Sequence, residues 1–176
     1  MTIPSKAVAL LALVLSPLAA LAEPMSVAPE PPSPAFERLK SLAGDWVGTA
    51  GSLGDAKTFP TRASVRVVSA GSAVMITTDP GGKYEMVTVI HRDDGGALMA
   101  THYCAAKNQP RMRAPFPSDP GRLTFEFVDG TNLAAHPGRM QRLVIVTPDP
   151  DRQIQEWTYR EAGKDSTDVF DMKRVK

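Results

Sequence analysis

From residue 45 to residue 174 the sequence repeats one arrangement: a short run rich in Val, Ile, Thr, Tyr and Phe, then a cluster of Gly, Asp, Pro or Asn. Runs of that composition favour strands, and the clusters between them reverse the chain. The runs fall at 45–51, 59–68, 73–78, 84–92, 97–104, 110–115, 122–128, 140–147, 153–160 and 166–174. Asp93-Asp94-Gly95-Gly96 suits a tight hairpin turn, while Asp79-Pro80-Gly81-Gly82, Asp119-Pro120-Gly121 and Glu161-Ala162-Gly163-Lys164 mark other reversals. About ten antiparallel strands with short connections predict an all-β, up-and-down meander closed into a barrel, because closure removes exposed sheet edges. A β-sandwich is the alternative, but its long crossover connections are not evident.

Period-two alternation gives several strands a dry face. Leu123, Phe125 and Phe127 share one side against Thr124 and Glu126; Trp157 and Tyr159 share one side, and Phe170 and Met172 another. In 86–90 and 98–104, apolar and hydrogen-bonding residues occur on both faces, which suits a wall with a partly polar lining. Ahead of the strands, Phe36, Leu39, Leu42 and Ala43 recur at helical spacing, with Ser33 or Pro34 at the start and Gly44 past the end, so one short helix leads the barrel.

The first residues read as an export signal. Lys6 precedes an unbroken apolar run at 7–15, Ser16 and Pro17 interrupt it, and Ala20-Leu21-Ala22 offers the small residues of a cleavage site. The run is too short for a spanning helix of roughly 20 residues. Residues 1–22 are therefore expected to be a signal peptide, 23–34 a proline-rich disordered tether, and 35–176 a single barrel domain. The location expected is the periplasm or the medium. Cleavage after Ala22 would remove one basic residue and no acidic one, taking the formal charge from +1 to 0. A neutral domain has no global attraction to nucleic acid or anionic membrane. Cys104, the single cysteine, has no intramolecular disulfide partner.

Leu39-Lys40-Ser41-Leu42-Ala43-Gly44-Asp45-Trp46-Val47-Gly48-Thr49 resembles the opening of lipocalin-like and nitrobindin-like barrels, where a short helix leads into a Gly-x-Trp-x-Gly first strand. Trp46 can plug one end while Gly44 and Gly48 permit close backbone approach. Thr101-His102-Tyr103-Cys104, Asn108-Gln109-Pro110-Arg111-Met112-Arg113-Ala114, Phe125-Glu126-Phe127 and Gly130-Thr131-Asn132 are similar to a family of exported bacterial barrels of this type. That resemblance implies a fold and brings no reaction. Nitrobindins bind haem through a histidine near the C-terminal end of the barrel; from Gln153 onward this chain has none, so the haem ligand has no counterpart and no cofactor is expected.

The stretch from His102 to Arg113 concentrates the candidate chemistry. His102 and Cys104 share one strand face, and Arg111 and Arg113 share a face of the next segment. If the faces meet inside the barrel they form a positive floor, and paired guanidiniums hold a carboxylate or phosphate with directed bonds. The competing expectation places the arginines on the solvent face or in a self-satisfied polar network with Glu85 or Glu126. Pairing the strands about Asp94-Gly95 puts His91 opposite Leu98 and His102 opposite Val87. The histidines then stand on the order of 13 Å apart, too far to share a metal. A Cys104 nucleophile served by His102 is disfavoured, since residues two apart on a flat strand point in parallel, with Cα atoms roughly 6–7 Å apart. The expectation is thus an exported, non-enzymatic protein binding a small hydrophobic or acidic amphiphilic ligand. Arg111, Arg113, His102, Tyr103, Cys104, Asn108, Gln109 and Trp46 are its candidate contacts. A cell-envelope structural or interaction protein with a filled barrel is the alternative, and a haem protein or an enzyme ranks behind both.

Overall fold

The computed structural model describes residues 32–176. The export signal and all but the last residues of the tether lie outside the described residues. Of that tether, Ser33 and Pro34 belong to the helix: α1 spans Pro34–Lys40, and the Ser33 side chain accepts a hydrogen bond from the Phe36 amide at 3.3 Å. Proline in the first turn gives up no needed donor.

Ten strands follow: β1 (Gly44–Ser52), β2 (Phe59–Val68), β3 (Ala73–Thr78), β4 (Met86–Arg92), β5 (Leu98–Tyr103), β6 (Gln109–Ala114), β7 (Arg122–Thr131), β8 (Arg139–Asp149), β9 (Arg152–Glu161) and β10 (Lys164–Arg174). Each pairs antiparallel with its sequence neighbours, and β1 pairs with β10, from Trp46 opposite Arg174 to Ser52 opposite Asp168. The protein is a closed up-and-down barrel with one short helix, as the turn spacing predicts.

One register differs from expectation. Arg92, not His91, lies opposite Leu98, and Thr88, not Val87, lies opposite His102. The Asp93 amide bonds the Ala97 carbonyl at 2.8 Å, leaving a three-residue loop in which Gly96 takes φ +81°. That loop supplies one residue more than the two-residue turn assumed from sequence. A shift of one residue exchanges faces: His91 is exposed on the outside while His102 is buried inside.

Helix α1 and the hairpin loops at 69–72, 93–97, 115–121 and 150–151 share one end of the barrel. Phe36, Leu39 and Leu42 seal that end over Val65, Val74, Leu98 and Ile145, and Trp46 lies wholly buried beneath. The Trp46 indole N–H donates to the Leu42 carbonyl at 2.9 Å, and the Arg174 guanidinium stacks 4.5 Å from the indole centroid. Arg174 also donates to the Ala43, Ser41 and Pro150 carbonyls, tying the last strand to the connection after α1. A Cβ on Gly48 would run into the Asp171 carbonyl, so β1 and β10 close only because that position is glycine.

Candidate functional site

The inner wall is built by parity. Along β5, Leu98, Ala100 and His102 are buried while Tyr103 is exposed. His102 Nδ1 stands 2.9 Å from the Thr88 hydroxyl on β4, and its ring meets Trp157 of β9 with centroids 4.8 Å apart. The Trp157 indole N–H donates to Gln155 Oε1 at 3.0 Å, and Gln155 Nε2 donates to Gln153 Oε1 at 2.9 Å. A hydrogen-bonded ladder thus runs down three inward positions of one strand, and its tryptophan meets His102 from the opposite wall. His102 Nε2 and Gln153 Nε2, both buried, end this network without a hydrogen-bond partner among the described residues. Burial pushes the His102 pKa down to about 4, so the imidazole is neutral at ordinary pH.

Away from α1, the loops at 53–58, 79–85, 104–108, 132–138 and 162–163 form the mouth. Asn108, wholly buried, donates to the His136 carbonyl at 2.7 Å and to the Gly138 carbonyl at 2.6 Å, pinning the 132–138 loop. Gln109 accepts from Thr131 at 2.6 Å and from Asn132 at 3.1 Å. Both side chains therefore organise the mouth's connections. Cys104 sits half-buried in the turn after β5, where burial raises its pKa. Tyr159 is likewise raised, by burial first and then by Glu161 and Cys104. A thiol held protonated is a poor nucleophile.

The two arginines do not form a lumen floor. Arg111 and Arg113 project outward; Arg111 makes a bidentate pair with Asp129 directly across the β6–β7 ladder, and Arg113 pairs with Asp93 at 3.1 Å. The Arg111 hydrogen bonds hold the Asp129 carboxyl below the usual carboxylate range. Pro110, Met112 and Ala114, which alternate with them, are buried and take the inner face. Tyr103 also points out. Trp46 plugs the sealed end and does not line the open cavity. Of the sequence candidates, only His102 contributes a polar atom deep inside, with Cys104, Asn108 and Gln109 grouped at the mouth.

A cavity of about 660 Å³ lies at the mouth where β1, β2, β3, β4 and β10 meet. Phe59, Thr61, Thr78, Met86 and Phe170 line it from strand positions, with Tyr84 from the 79–85 loop. Its two charged residues, Arg62 and Asp79, face each other at 3.6 Å. The cavity lies one layer above the polar network, whose side chains do not line it: Thr88 is the next inward position on β4 beyond Met86, and Phe170 is the register partner of Gln155.

No protein-family model and no curated protein matches this chain.

The site therefore rests on geometry. Thr88, Gln153, Gln155, Met86 and Phe170 were not among the contacts expected from sequence, although Phe170 was placed on a dry face. A signal existed for the glutamines, which share the parity of Trp157, and for the arginines, whose neighbours Met112 and Ala114 are the apolar parity. Nothing comparable marks Thr88, because only the β4–β5 register brings it to His102. Among the described residues no group of three or more His, Cys, Asp or Glu side chains could hold a metal ion, and no helix is long and apolar enough to cross a membrane.

Proposed function

We propose that this chain is an exported, non-enzymatic binding protein of lipocalin-like type that takes a small hydrophobic or amphiphilic molecule at the mouth of its barrel. The observation that carries the reading is the cavity of about 660 Å³ walled by Phe59, Tyr84, Met86 and Phe170. Small-molecule sites are concave, mostly apolar and of roughly 300–1,000 Å³, with a few placed polar groups. The outer wall supports a water-facing barrel, since it carries cross-strand ion pairs such as Arg111–Asp129, Arg142–Glu126 and Arg160–Asp165 where a membrane barrel carries an apolar belt. Export rests on the sequence of residues 1–22, and N-terminal sequencing of the secreted or periplasmic product tests it, with Glu23 as the expected first residue.

Native mass spectrometry of the protein purified from its own compartment tests the binding. A co-purifying lipophilic mass is expected, and Met86→Trp, which fills the cavity, should displace it. No bound mass, together with no thermal shift across alkanes, fatty alcohols, fatty acids and isoprenoids, would sink the reading. That result would favour an envelope interaction protein, for which the filled inner half of the barrel, packed with Trp46, Phe125, Leu143 and Ile145, already argues.

A further inference from the structure

We propose that the molecule taken at the mouth carries an uncharged hydrogen-bonding head group, a hydroxyl or carbonyl and not a carboxylate, and that His102 Nε2 is the atom that receives it. The inference rests on the binding role above and names its ligand class. Its first support is the unpartnered Nε2 itself: the His102 side chain is 1% exposed, its other nitrogen is engaged by Thr88, and no group among the described residues hydrogen-bonds Nε2. Buried polar groups are almost always partnered, so an inward-facing exception one layer below a cavity marks a place for a ligand atom.

The second support is the apolar and neutral lining around it. Flanking inward positions on β4, β5 and β6 are Ile90, Ala100, Met112 and Pro110, and the wall across the lumen presents Trp157 and Gln155. Of the titratable groups toward that end of the lumen, Cys104 and Tyr159 are held in their neutral, protonated forms by burial, and the Glu161 carboxylate beside Tyr159 would repel a second carboxylate. His102 itself stays neutral, also through burial. A carboxylate brought to this place would shed its water, and the Arg139 guanidinium on that side of the barrel is already stacked on Phe127, 4.3 Å from its centroid. Arg111 and Arg113 are occupied on the outer face, and Arg62 at the rim already faces Asp79. A neutral imidazole opposite a hydroxyl satisfies both partners with one hydrogen bond, whichever tautomer Thr88 selects.

The third support is position. The apolar wall of Met86 and Phe170 lies one inward step from Thr88 and beside Gln155, one layer above His102, so a chain resting on that wall reaches the imidazole by extending its head group past Thr88.

A matched set of ligands tests this on the exported protein: dodecanol, dodecanoate and dodecane, titrated near neutral pH. Dodecanol is expected to bind about tenfold or more tighter than dodecanoate, the difference reflecting the uncompensated charge. His102→Leu should bring dodecanol down to the level of dodecane, and His102→Gln, which keeps a hydrogen-bonding group, should retain part of the preference. Nitrogen NMR of the wild-type imidazole gives a readout independent of the variants' folding: dodecanol, but not dodecane, should shift His102 Nε2. Equal or tighter binding of the acid, especially if lost in Arg62→Ala, overturns the proposal in favour of a head group at the rim. Unchanged discrimination in His102→Leu, or an Nε2 signal indifferent to dodecanol, overturns it in favour of a buried water there. Binding of none of the three overturns the binding role itself, whereas binding of dodecane as tightly as dodecanol leaves that role intact and removes only the head-group contact.

Discussion

The two ends of the barrel are built to opposite specifications. At the helix end the lumen is plugged: Phe36, Leu39, Leu42 and Trp46 are buried to within a few per cent, Arg174 closes the seam by donating to three backbone carbonyls, and the space that remains, about 280 Å³, lies outside the plug between the start of α1 and the 115–121 loop. At the mouth, Phe59 and Tyr84 stay exposed, Met86 and Phe170 only partly covered, and the connections are held by polar side chains such as Asn108 and Gln109. Between them lies the polar layer of Thr88, His102, Gln155 and Gln153. A small barrel needs a dry core to be stable, but one sealed end supplies it, leaving the other free to stay open. The contrast implies that stability is concentrated at the helix end and binding at the mouth.

Trp46→Ala should show the largest effect, a loss of about 3–5 kcal/mol in urea unfolding, because it empties the fully buried plug and strands the Leu42 carbonyl. If the loss is no greater than at the mouth, stability is not concentrated where the packing places it. The polar layer comes next and is read through pH. The folded-state pKa of His102, about 4, lies below its ordinary 6.5, so the unfolded chain binds the proton first. Stability is therefore complete above about pH 6.5 and declines as pH falls toward about 4, by a total on the order of 3 kcal/mol. His102→Gln should flatten that part of the pH profile, and a wild-type decline equal to the variant's would show that the histidine is not buried neutral. Arg174→Leu keeps some packing against Trp46 but removes the donors; about 2 kcal/mol should be lost, with ligand binding unchanged. Met86→Ala at the mouth should cost only about 1 kcal/mol while altering ligand retention, the reverse balance to Arg174→Leu. Smallest of all, Arg111→Ala should leave the urea midpoint and binding where they were, since its pair with Asp129 is exposed to solvent and salt. A loss of ligand in Arg111→Ala would restore the acid clamp that the outward geometry removes.

Much of the barrel was legible because its causes are local. Alternation in Leu123, Phe125 and Phe127 and the turn clusters at 79–82 and 119–121 are consequences of neighbouring residues alone, and the strands fall within a few residues of where those signals put them. The site was less legible. His102 was singled out, but the partners that give it meaning are Thr88, fourteen residues away on a paired strand, and Trp157, across the lumen. Arg111 and Arg113 were named as interior candidates on chemical grounds, against the alternative of a solvent-facing pair, although their own strand alternates them with Pro110, Met112 and Ala114. There the period-two signal was the better guide, since burying two guanidiniums without carboxylate partners costs more than any single ligand contact returns.

What the sequence determined by itself, then, was the number and order of strands, the leading helix, and on strands with one apolar parity which side faces in. What the tertiary structure alone decided was the β4–β5 register, and with it the opposite faces of His91 and His102. It also decided the cross-lumen meeting of His102 with Trp157, and which end was sealed. The reason is physical. Strand formation and turn type depend on residues within a few positions of each other, whereas register depends on one loop residue and lumen contacts depend on closure of all ten strands, which no local pattern encodes.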